Sequence, residues 1–317
     1  MSAVRVRAVI ASVQDDAEDV KILELCPEGP MDCTAPSGAH VDLYLPGGMV
    51  RQYSLIGSDP RRMRLAVRRE ASGRGGSAFI HDRLQTGSVI EIGTPRSRFP
   101  FAPDAPYAIL VGGGIGITPL LSHAQQAETN GIPWELHYAC RTAASAPLLA
   151  EVRRLESKSR LGRIQFYFTR ENGPRMDIAR IAAEAPAQAH LYVCGPDRMT
   201  EAAIQAVAGW PASRLHLESF SNSNEIARDG GFSAILARSG IELEIPPGQT
   251  LLDAILDAGI EADHSCCEGT CGSCEVRVLD GIPDHRDVIL SDAERSANDR
   301  MMICCSGSRL RRIVIDL

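Results

Sequence analysis

Residues 266–274, CCEGTCGSC, decide the nature of the C-terminal part of the chain. Cys266, Cys271 and Cys274 follow the spacing C-x4-C-x2-C, and the pair Cys304–Cys305 comes after 29 intervening residues. This is the cysteine spacing of plant-type [2Fe–2S] proteins, in which four thiolates hold two ferric ions. The sequence therefore predicts an iron–sulfur cluster held by the first three cysteines and by one member of the later pair.

This assignment has two kinds of alternative: a neighbouring cysteine as ligand, and zinc as the metal. The C-x4-C spacing selects Cys266 over the adjacent Cys267, whereas the spacing alone leaves Cys304 and Cys305 open. The cysteine that is not used is expected to be a small buried thiol. Zinc sites usually pair two short hooks of the Cys-x-x-Cys type, and this chain has one such hook. The pattern therefore favours iron over zinc.

Length and composition indicate a folded protein of two or three domains. The chain has 317 residues, of which 44% are hydrophobic and 23% charged, and domains usually comprise about 100–200 residues. We expect a cytoplasmic protein without a membrane partner, because a transmembrane-length apolar run and a signal peptide are both absent from the sequence. The net charge of -7 argues against nucleic-acid binding. Ten cysteines in a reducing compartment are unlikely partners in disulfides.

The patterning of apolar residues divides the chain into three segments. Residues 1–103 contain short alternating stretches such as HVDLYL and VIEIG between Gly/Pro turns, which predicts a small antiparallel barrel. Residues 104–228 alternate apolar runs with helical stretches, which predicts a parallel α/β domain. The polar stretch 219–231 is expected to be a linker. Residues 229–317 should form a third unit, with strands near 232–238, 241–245, 275–279 and 312–316 and a helix near 251–258 that Thr250 and Asp253 cap.

Two motifs in the first segment predict a site for a planar, anionic ligand. The sequence RQYSL at 51–55 contains Arg51, Tyr53 and Ser54, and the glycine-rich GRGGS follows at 73–77. Gly75 and Gly76 would free the backbone, and Ser77 would cap a helix that begins at Ala78. The N–H groups of a helix start bind anions, to which Arg51 and Arg69 would add positive charge. The alternative is an ordinary barrel strand followed by a glycine-rich turn.

Two turns in the second segment predict a nucleotide site. VGGGIGITP at 111–119 follows the first parallel strand, and such a glycine-rich turn lets a pyrophosphate approach the backbone. Its spacing differs from the usual G-x-G-x-x-G. The later CGPDRM at 194–199 also follows a strand. Because ligands of parallel sheets bind at the carboxyl ends of the strands, we expect both turns to face one ligand.

Together these motifs resemble those of the phthalate dioxygenase reductase family, which includes the vanillate O-demethylase reductase subunits. The resemblance covers the chain from the first strand to the final VIDL and includes YVCGPDRM at 192–199 and GIPDHRDVIL at 281–290. The order of the segments is also that of the family. The resemblance implies an antiparallel flavin-binding barrel, a parallel nicotinamide-binding domain and a C-terminal β-grasp ferredoxin domain. This order further implies FMN and not FAD.

The resemblance also implies roles for individual residues. Those assigned to FMN are Arg51, Tyr53, Ser54, Arg69, Gly75, Gly76, Ser77 and Phe220. Those assigned to the nicotinamide nucleotide are Gly114, Gly116, Thr118, Arg141, Gly195 and Pro196. Thr118 and Cys194 would border the site of hydride transfer, which requires no acid, base or nucleophile. The family places the cluster on Cys266, Cys271, Cys274 and Cys304, which decides between Cys304 and Cys305.

The implied activity is electron transfer from NADH to a separate protein. A reduced nicotinamide gives two electrons as a hydride, whereas a [2Fe–2S] cluster takes one at a time, so a flavin must stand between them. By resemblance, the acceptor is a terminal Rieske-type oxygenase, and this chain is its reductase component, expected to be a monomer. One alternative is a stand-alone NAD(P)H diaphorase or ferric reductase. Another is an electron carrier that uses the ferredoxin domain alone, against which the complete flavin and nicotinamide motifs count.

The loop after the strand IQFYF (164–168) bears on the choice of nicotinamide. The family places this loop beside the adenosine ribose, where NADH-using relatives commonly carry an acidic residue. Here Thr169, Arg170 and Arg175 can bind a 2′-phosphate, whereas Glu171 can turn to the ribose or simply pair with the arginines. We predict NADH as the physiological donor, with weaker discrimination against NADPH than in relatives with an acidic loop.

Charge is concentrated in the third segment. Residues 229–317 contain 16 Asp and Glu residues and 8 Arg residues, whereas the rest of the chain is close to neutral. Such an acidic domain suggests a docking surface for a partner, and the alternative is an ordinary solvated face.

Overall fold

The computed structural model describes residues 5–29, 35–71, 73–171, 173–220 and 224–317, and it divides into two compact units between Ser219 and Phe220. The sequence predicted this boundary between residues 228 and 229. The structure places it earlier, because residues before 229 already form hydrogen bonds with the C-terminal unit. The N–H of Ala227 donates to the Cys305 carbonyl, and the N–H of Gly248 donates to the Arg228 carbonyl, each at 2.8 Å. The barrel and the parallel domain, predicted as two domains, together form the first unit.

The N-terminal part of the first unit is an antiparallel barrel. Its strands pair in the order β4-β3-β6-β1-β2-β5, and a bridge between Leu55 and Leu65 joins the two ends. Alternation along the strands buries one face in a core that contains Leu23, Leu43 and Leu65. The elements are β1 Arg5–Ala17, β2 Val20–Pro27, β3 Ala39–Leu45, β4 Met49–Ser54, β5 Met63–Arg68, α1 Gly76–Arg83, β6 Val89–Gly93 and β7 Arg96–Ser97.

The second part of the same unit is a five-stranded parallel sheet in the order β10-β9-β8-β11-β12. The central strand, AILVGG, is buried along almost its whole length, as expected for a strand with helices on both faces. One core joins this sheet to the barrel, because Ile22 and Ala66 of the barrel pack with Leu120. The elements are β8 Ala108–Gly113, α2 Ile117–Asn130, β9 Trp134–Cys140, α3 Leu149–Lys158, β10 Gly162–Phe168, α4 Ile178–Ala183, β11 His190–Cys194, α5 Asp197–Ala206 and β12 Leu215–Glu218.

The C-terminal unit has the expected β-grasp arrangement, a mixed sheet in the order β14-β13-β19-β15-β17 with a helix packed on it. That helix begins as predicted at a capping box, in which the Thr250 hydroxyl accepts from the Asp253 N–H and the Asp253 carboxylate accepts from the Thr250 N–H. The elements are β13 Phe232–Leu236, β14 Ile241–Ile245, α6 Leu251–Asp257, β15 Glu275–Asp280, β16 Pro283–Asp284, α7 Asp292–Ala297, β17 Arg300–Met302, β18 Gly307–Ser308 and β19 Arg312–Ile315.

The fold class predicted from the sequence is confirmed in all three parts. Among the helices of the described residues, none has the length and apolar character that crossing a membrane would require.

Candidate functional site

The four predicted cluster cysteines are buried together in the C-terminal unit. Cys266, Cys271, Cys274 and Cys304 are each less than a tenth exposed. The Cys304 thiol interacts directly with the thiols of Cys266 and Cys274, and Cys271 is hydrogen-bonded to Cys266. That hydrogen bond, together with burial, raises the pKa of the Cys271 thiol. Iron binding must therefore displace protons from these thiols.

The loop that carries the first three cysteines directs backbone N–H groups at sulfur. The N–H groups of Glu268 and Thr270 each lie 3.4 Å from the Sγ of Cys266. Gly269 and Gly272 make this loop possible, because both have a positive φ, 71° and 72°, which other residues rarely adopt. Hydrogen bonds of this kind stabilise thiolates and tune the potential of an iron–sulfur cluster.

The four thiols fit a [2Fe–2S] cluster. They are buried, and the Cys304 thiol interacts with those of Cys266 and Cys274. In such a cluster each iron takes two of the four thiolates. The two spare cysteines make other contacts: Cys267 Sγ lies 3.7 Å from the Ser265 carbonyl, and Cys305 Sγ lies 3.8 Å from the Met302 carbonyl.

The predicted flavin motifs meet in the first unit. The Arg51 guanidinium donates to the Arg74 carbonyl at 2.9 Å, and a Cβ on Gly76 would lie 2.6 Å from the Arg51 side chain. Strand β4 therefore lies against the start of α1, where the N–H groups of the first turn offer an anion site. Tyr53 and Ser54 continue the same strand, and burial raises the pKa of the Tyr53 phenol to about 12.

Three expectations about the flavin residues are changed or left open by the structure. The helix begins at Gly76 after Gly75, not at Ala78, so Ser77 is not its cap; the Ser77 hydroxyl instead accepts from the Glu70 N–H at 3.0 Å. Arg69, expected at the phosphate, forms an ion pair with Asp82, an exposed carboxylate that competes for the same guanidinium. Phe220 is 44% exposed and belongs to the C-terminal unit, so its stacking on the flavin stays a prediction.

The two turns predicted for the nucleotide are in direct contact. A Cβ on Gly116 would lie 2.2 Å from the Cys194 carbonyl oxygen, and a Cβ on Gly113 would lie 2.8 Å from Pro196. Both turns leave the carboxyl edge of the sheet, where β8 and β11 pair up to Gly112 and Cys194. The Thr118 hydroxyl donates to the Ile115 carbonyl at 3.0 Å and so helps to shape the first turn.

Helix α2 ties the nucleotide turn to the flavin strand. The Ser122 hydroxyl donates to the Leu55 carbonyl and accepts from the Gly57 N–H, both at 2.8 Å, and Ser122 is almost fully buried. Leu55 directly follows Ser54, and the helix begins at the glycine turn. The structure therefore holds the predicted flavin and nicotinamide residues at adjoining positions within one unit.

Glu218 was missed by the reasoning from sequence. It ends β12, directly opposite Cys194 on β11, and its Oε2 lies 3.9 Å from the Cys194 sulfur. Although the residue as a whole is half-buried, its carboxyl is enclosed, and burial raises its pKa to about 8. Burial also raises the pKa of the Cys194 thiol. Two groups that are uncharged at neutral pH thus lie side by side at the edge where the hydride would pass.

Arg68 was also missed, although it precedes the predicted Arg69. It ends β5, and its guanidinium lies about 4.0 Å from the position of a Cβ on Gly114, in the nucleotide turn. Its Nε also donates to Glu70 at 2.8 Å. The sequence alone gave no signal, because only the fold brings the barrel strand to this turn.

The loop after β10 lies beside the loop after β9. The Arg170 N–H donates to the Arg141 carbonyl at 2.8 Å. The carboxylate of Glu171 accepts from the Ala143 N–H at 2.7 Å. In the part of the chain that the structure describes, Arg141, Arg170 and Arg175 form no salt bridge.

Comparisons with known proteins agree with this arrangement. Residues 110–205 match the model of the oxidoreductase NAD-binding domain, and residues 234–308 match that of the 2Fe-2S iron-sulfur cluster binding domain. The chain is 43% identical over 313 residues to phenoxybenzoate dioxygenase subunit beta of Ectopseudomonas oleovorans, covering 97% of this chain and 96% of that one. It is 36% identical to a vanillate O-demethylase oxidoreductase of Pseudomonas sp. (strain HR199 / DSM 7063), covering 98% and 100%.

A solved structure extends the similarity to the whole fold. Phthalate dioxygenase reductase, described as a modular structure for electron transfer from pyridine nucleotides to [2Fe–2S], matches with a TM-score of 0.70 and 33% identity, covering 99% of this chain and 98% of that one. Along this chain, the match to the nicotinamide domain precedes the match to the cluster domain. The chain therefore belongs to the phthalate dioxygenase reductase family of NADH-dependent oxygenase reductases with FMN and a [2Fe–2S] cluster.

Proposed function

We propose that this chain is the reductase of an oxygenase that acts on an aromatic substrate, with the following division of roles among its residues. When bound, FMN accepts a hydride from NADH and releases electrons singly, and the [2Fe–2S] cluster carries them to the oxygenase. Arg51 and the first turn of α1 bind the FMN phosphate, and Tyr53 and Ser54 line its ring. Gly114, Gly116 and the Cys194–Pro196 turn hold the nicotinamide nucleotide.

The observation that carries this proposal is the link through Ser122. Hydride transfer requires donor and acceptor to be held in contact, and Ser122 fixes the flavin strand to the helix that starts at the nucleotide turn. The relatives named for phenoxybenzoate and vanillate support an aromatic substrate. The test is NADH-dependent turnover of a Rieske-type oxygenase encoded beside this gene. Reduction of cytochrome c without any stimulation of the oxygenase would favour the stand-alone diaphorase instead.

A cytoplasmic location is part of the proposal. None of the nine cysteines that the structure describes is in a disulfide, and thiols and thiolate-bound clusters persist in a reducing compartment.

Glu218→Gln should remove a pH dependence. In the folded protein the Glu218 carboxyl has a pKa of about 8, above its unfolded value, so it keeps its proton over a wider pH range than in the unfolded chain. The free energy of unfolding of the protein therefore falls as pH rises from about 4.5 through 8. The variant carries no such group, so we expect its melting temperature relative to wild type to increase across that range. Flavin reduction by NADH should likewise fall through pH 8 only in the wild type. Parallel pH profiles of the two proteins would refute this role.

The nicotinamide loop predicts a limited tolerance of NADPH. Among the residues that the structure describes, Arg170 and Arg175 form no salt bridge, and Glu171 accepts from the Ala143 N–H. We expect NADH to give the higher kcat/KM, and Arg170→Asp to lower kcat/KM for NADPH about tenfold or more while changing that for NADH little. Steady-state kinetics with both donors decides this, with Arg154→Asp, on the surface of α3, as control. If wild type uses NADPH better, the NADH assignment is wrong; if NADPH is inert, the phosphate role of Thr169 and Arg170 is wrong.

Reduction of the oxygenase should depend on salt. Residues 239–276 contain eight Asp and Glu residues and no Lys or Arg, whereas the charges in the rest of 229–317 balance. This acidic segment includes the first three cluster cysteines. Surface attraction acts over a Debye length of about 8 Å at physiological salt and mainly changes the association rate. We expect the rate to fall several-fold from low to high salt.

A matched pair of variants locates the effect. Glu261 is exposed within the acidic segment, and Asp292 is exposed outside it. Glu261→Gln should reduce the salt dependence of oxygenase reduction, and Asp292→Asn should not. A flat salt profile for the wild type would instead make the acidic segment an ordinary solvated face.

A further inference from the structure

The segment GIPDHRDVIL contains a buried carboxylate that belongs to none of the flavin, nicotinamide or cluster-ligand sites. Asp287 is fully buried. Its Oδ2 accepts from the N–H groups of Ile289 at 3.0 Å and Leu290 at 2.8 Å, which fixes a tight turn. Its Oδ1 has no hydrogen-bond partner among the described residues. A buried carboxylate is costly unless it is well paired, so this half-satisfied group requires an explanation.

The two groups nearest to Asp287 compensate its charge poorly. The Nδ1 of His285 lies 3.8 Å from Oδ1, and burial lowers the pKa of His285, so the ring is neutral at pH 7. The Arg295 guanidinium lies 3.9 Å from Oδ2 and donates instead to the Asp287 backbone carbonyl at 2.6 Å. The charge of Asp287 is therefore compensated only in part, by one guanidinium at 3.9 Å.

The residues on either side of Asp287 are bonded to both segments that carry cluster ligands. The Val288 N–H donates to the Gly269 carbonyl at 3.1 Å, between Cys266 and Cys271. The Arg286 N–H donates to the Ser306 hydroxyl at 3.1 Å, two residues after Cys304. Hydrogen bonds of its two neighbours thus join the turn made by Asp287 to both segments that carry cluster ligands, and the carboxylate in that turn is fully buried.

We propose that Asp287 is a positioning residue for the [2Fe–2S] cluster, whose buried charge lowers the potential at which the cluster accepts an electron. Reduction adds one negative charge to the cluster, and a buried, only partly compensated carboxylate in the same unit opposes that addition. The reduced cluster is thereby a stronger electron donor. The inference rests on the cluster and is independent of which oxygenase receives the electron.

The test is a redox titration of the intact holoprotein, followed by the visible and EPR signals of the cluster. Asp287→Asn keeps an oxygen that can accept from Ile289 and Leu290 but removes the charge. We expect the variant to hold iron and sulfide as the wild type does and to shift its reduction equilibrium about tenfold toward the reduced form, about 59 mV for one electron. The control is Asp280→Asn, which removes a carboxylate that is 68% exposed and should shift the equilibrium less than twofold.

A second variant is expected to shift the reduction equilibrium of the cluster in the opposite direction. Arg295→Gln removes the only cation within 4 Å of the Asp287 carboxylate among the described residues, so the reduction equilibrium should shift toward the oxidised form, and Arg295→Lys should restore it in part. If Asp287→Asn fails to hold the cluster, the reduction equilibria of Arg295→Gln and Arg295→Lys test the proposal instead. An unchanged potential in the loaded Asp287→Asn protein, or a shift toward the reduced form in Arg295→Gln, would overturn the proposal.

Discussion

Cys304→Ser is expected to lose the [2Fe–2S] cluster, whereas Cys305→Ser keeps it. Both residues are buried. The Cys304 thiol interacts with those of Cys266, Cys274 and Cys305, whereas the Cys305 sulfur also contacts the Met302 carbonyl. Each iron requires two protein thiolates, so the loss of one ligand should abolish the visible and EPR signals of the cluster. Electron transfer to the oxygenase should fall to background.

The flavin provides an internal control for this experiment. The predicted flavin and nicotinamide residues belong to the first unit and the cluster cysteines to the second, so NADH should still reduce the flavin of Cys304→Ser. Cys267→Ser should behave like Cys305→Ser, since the Cys267 sulfur contacts the Ser265 carbonyl. A cluster that is lost in Cys305→Ser and retained in Cys304→Ser would reverse the assignment.

Gly116→Ala is expected to impair hydride transfer by about a hundredfold or more. The added Cβ would lie 2.2 Å from the backbone oxygen and 2.6 Å from the carbonyl carbon of Cys194, and backbone cannot rotate away as a flexible side chain can. The two nucleotide turns must therefore separate, and a displacement of about 1 Å at a reacting site costs about 100-fold in rate. Overpacking should also cost about 1–3 kcal/mol of stability.

The measurement is stopped-flow reduction of the flavin by NADH. The matched control is Gly209→Ala, because no atom lies within 4 Å of a Cβ at that position. Both variants should contain flavin and cluster at wild-type levels. Wild-type kinetics in Gly116→Ala would show that the contact between the two turns does not position the nucleotide.

Local patterns predicted much of the fold. The strand 241–245 was placed at its observed bounds, and the capping box at Thr250 was found from residue types three positions apart. The cysteine spacing identified the cluster because a loop of fixed length must wrap around it. These features depend on neighbours in sequence, which a single chain displays directly.

What the sequence did not reveal depends on contacts between distant segments. Glu218 gains its importance from the pairing of β12 with β11, which places it opposite Cys194. The competition of Asp82 for Arg69 and the unpaired Oδ1 of the buried Asp287 carboxylate likewise appear only once the chain is folded. The expected cap at Ser77 was wrong because Gly75, with a φ of 81°, precedes a helix that begins at Gly76, two residues before the expected start at Ala78.

We propose that electrons from NADH reach the one-electron centre of this chain through its flavin. An anaerobic titration of the purified holoprotein with NADH, followed by its visible and EPR spectra, counts the electrons that each centre takes up. We expect uptake of about three electrons per chain, two by the flavin and one by the cluster, with Cys304→Ser taking up only the two of the flavin. An absorbance change limited to the flavin in the wild type, with the cluster still oxidised at excess NADH, would contradict it.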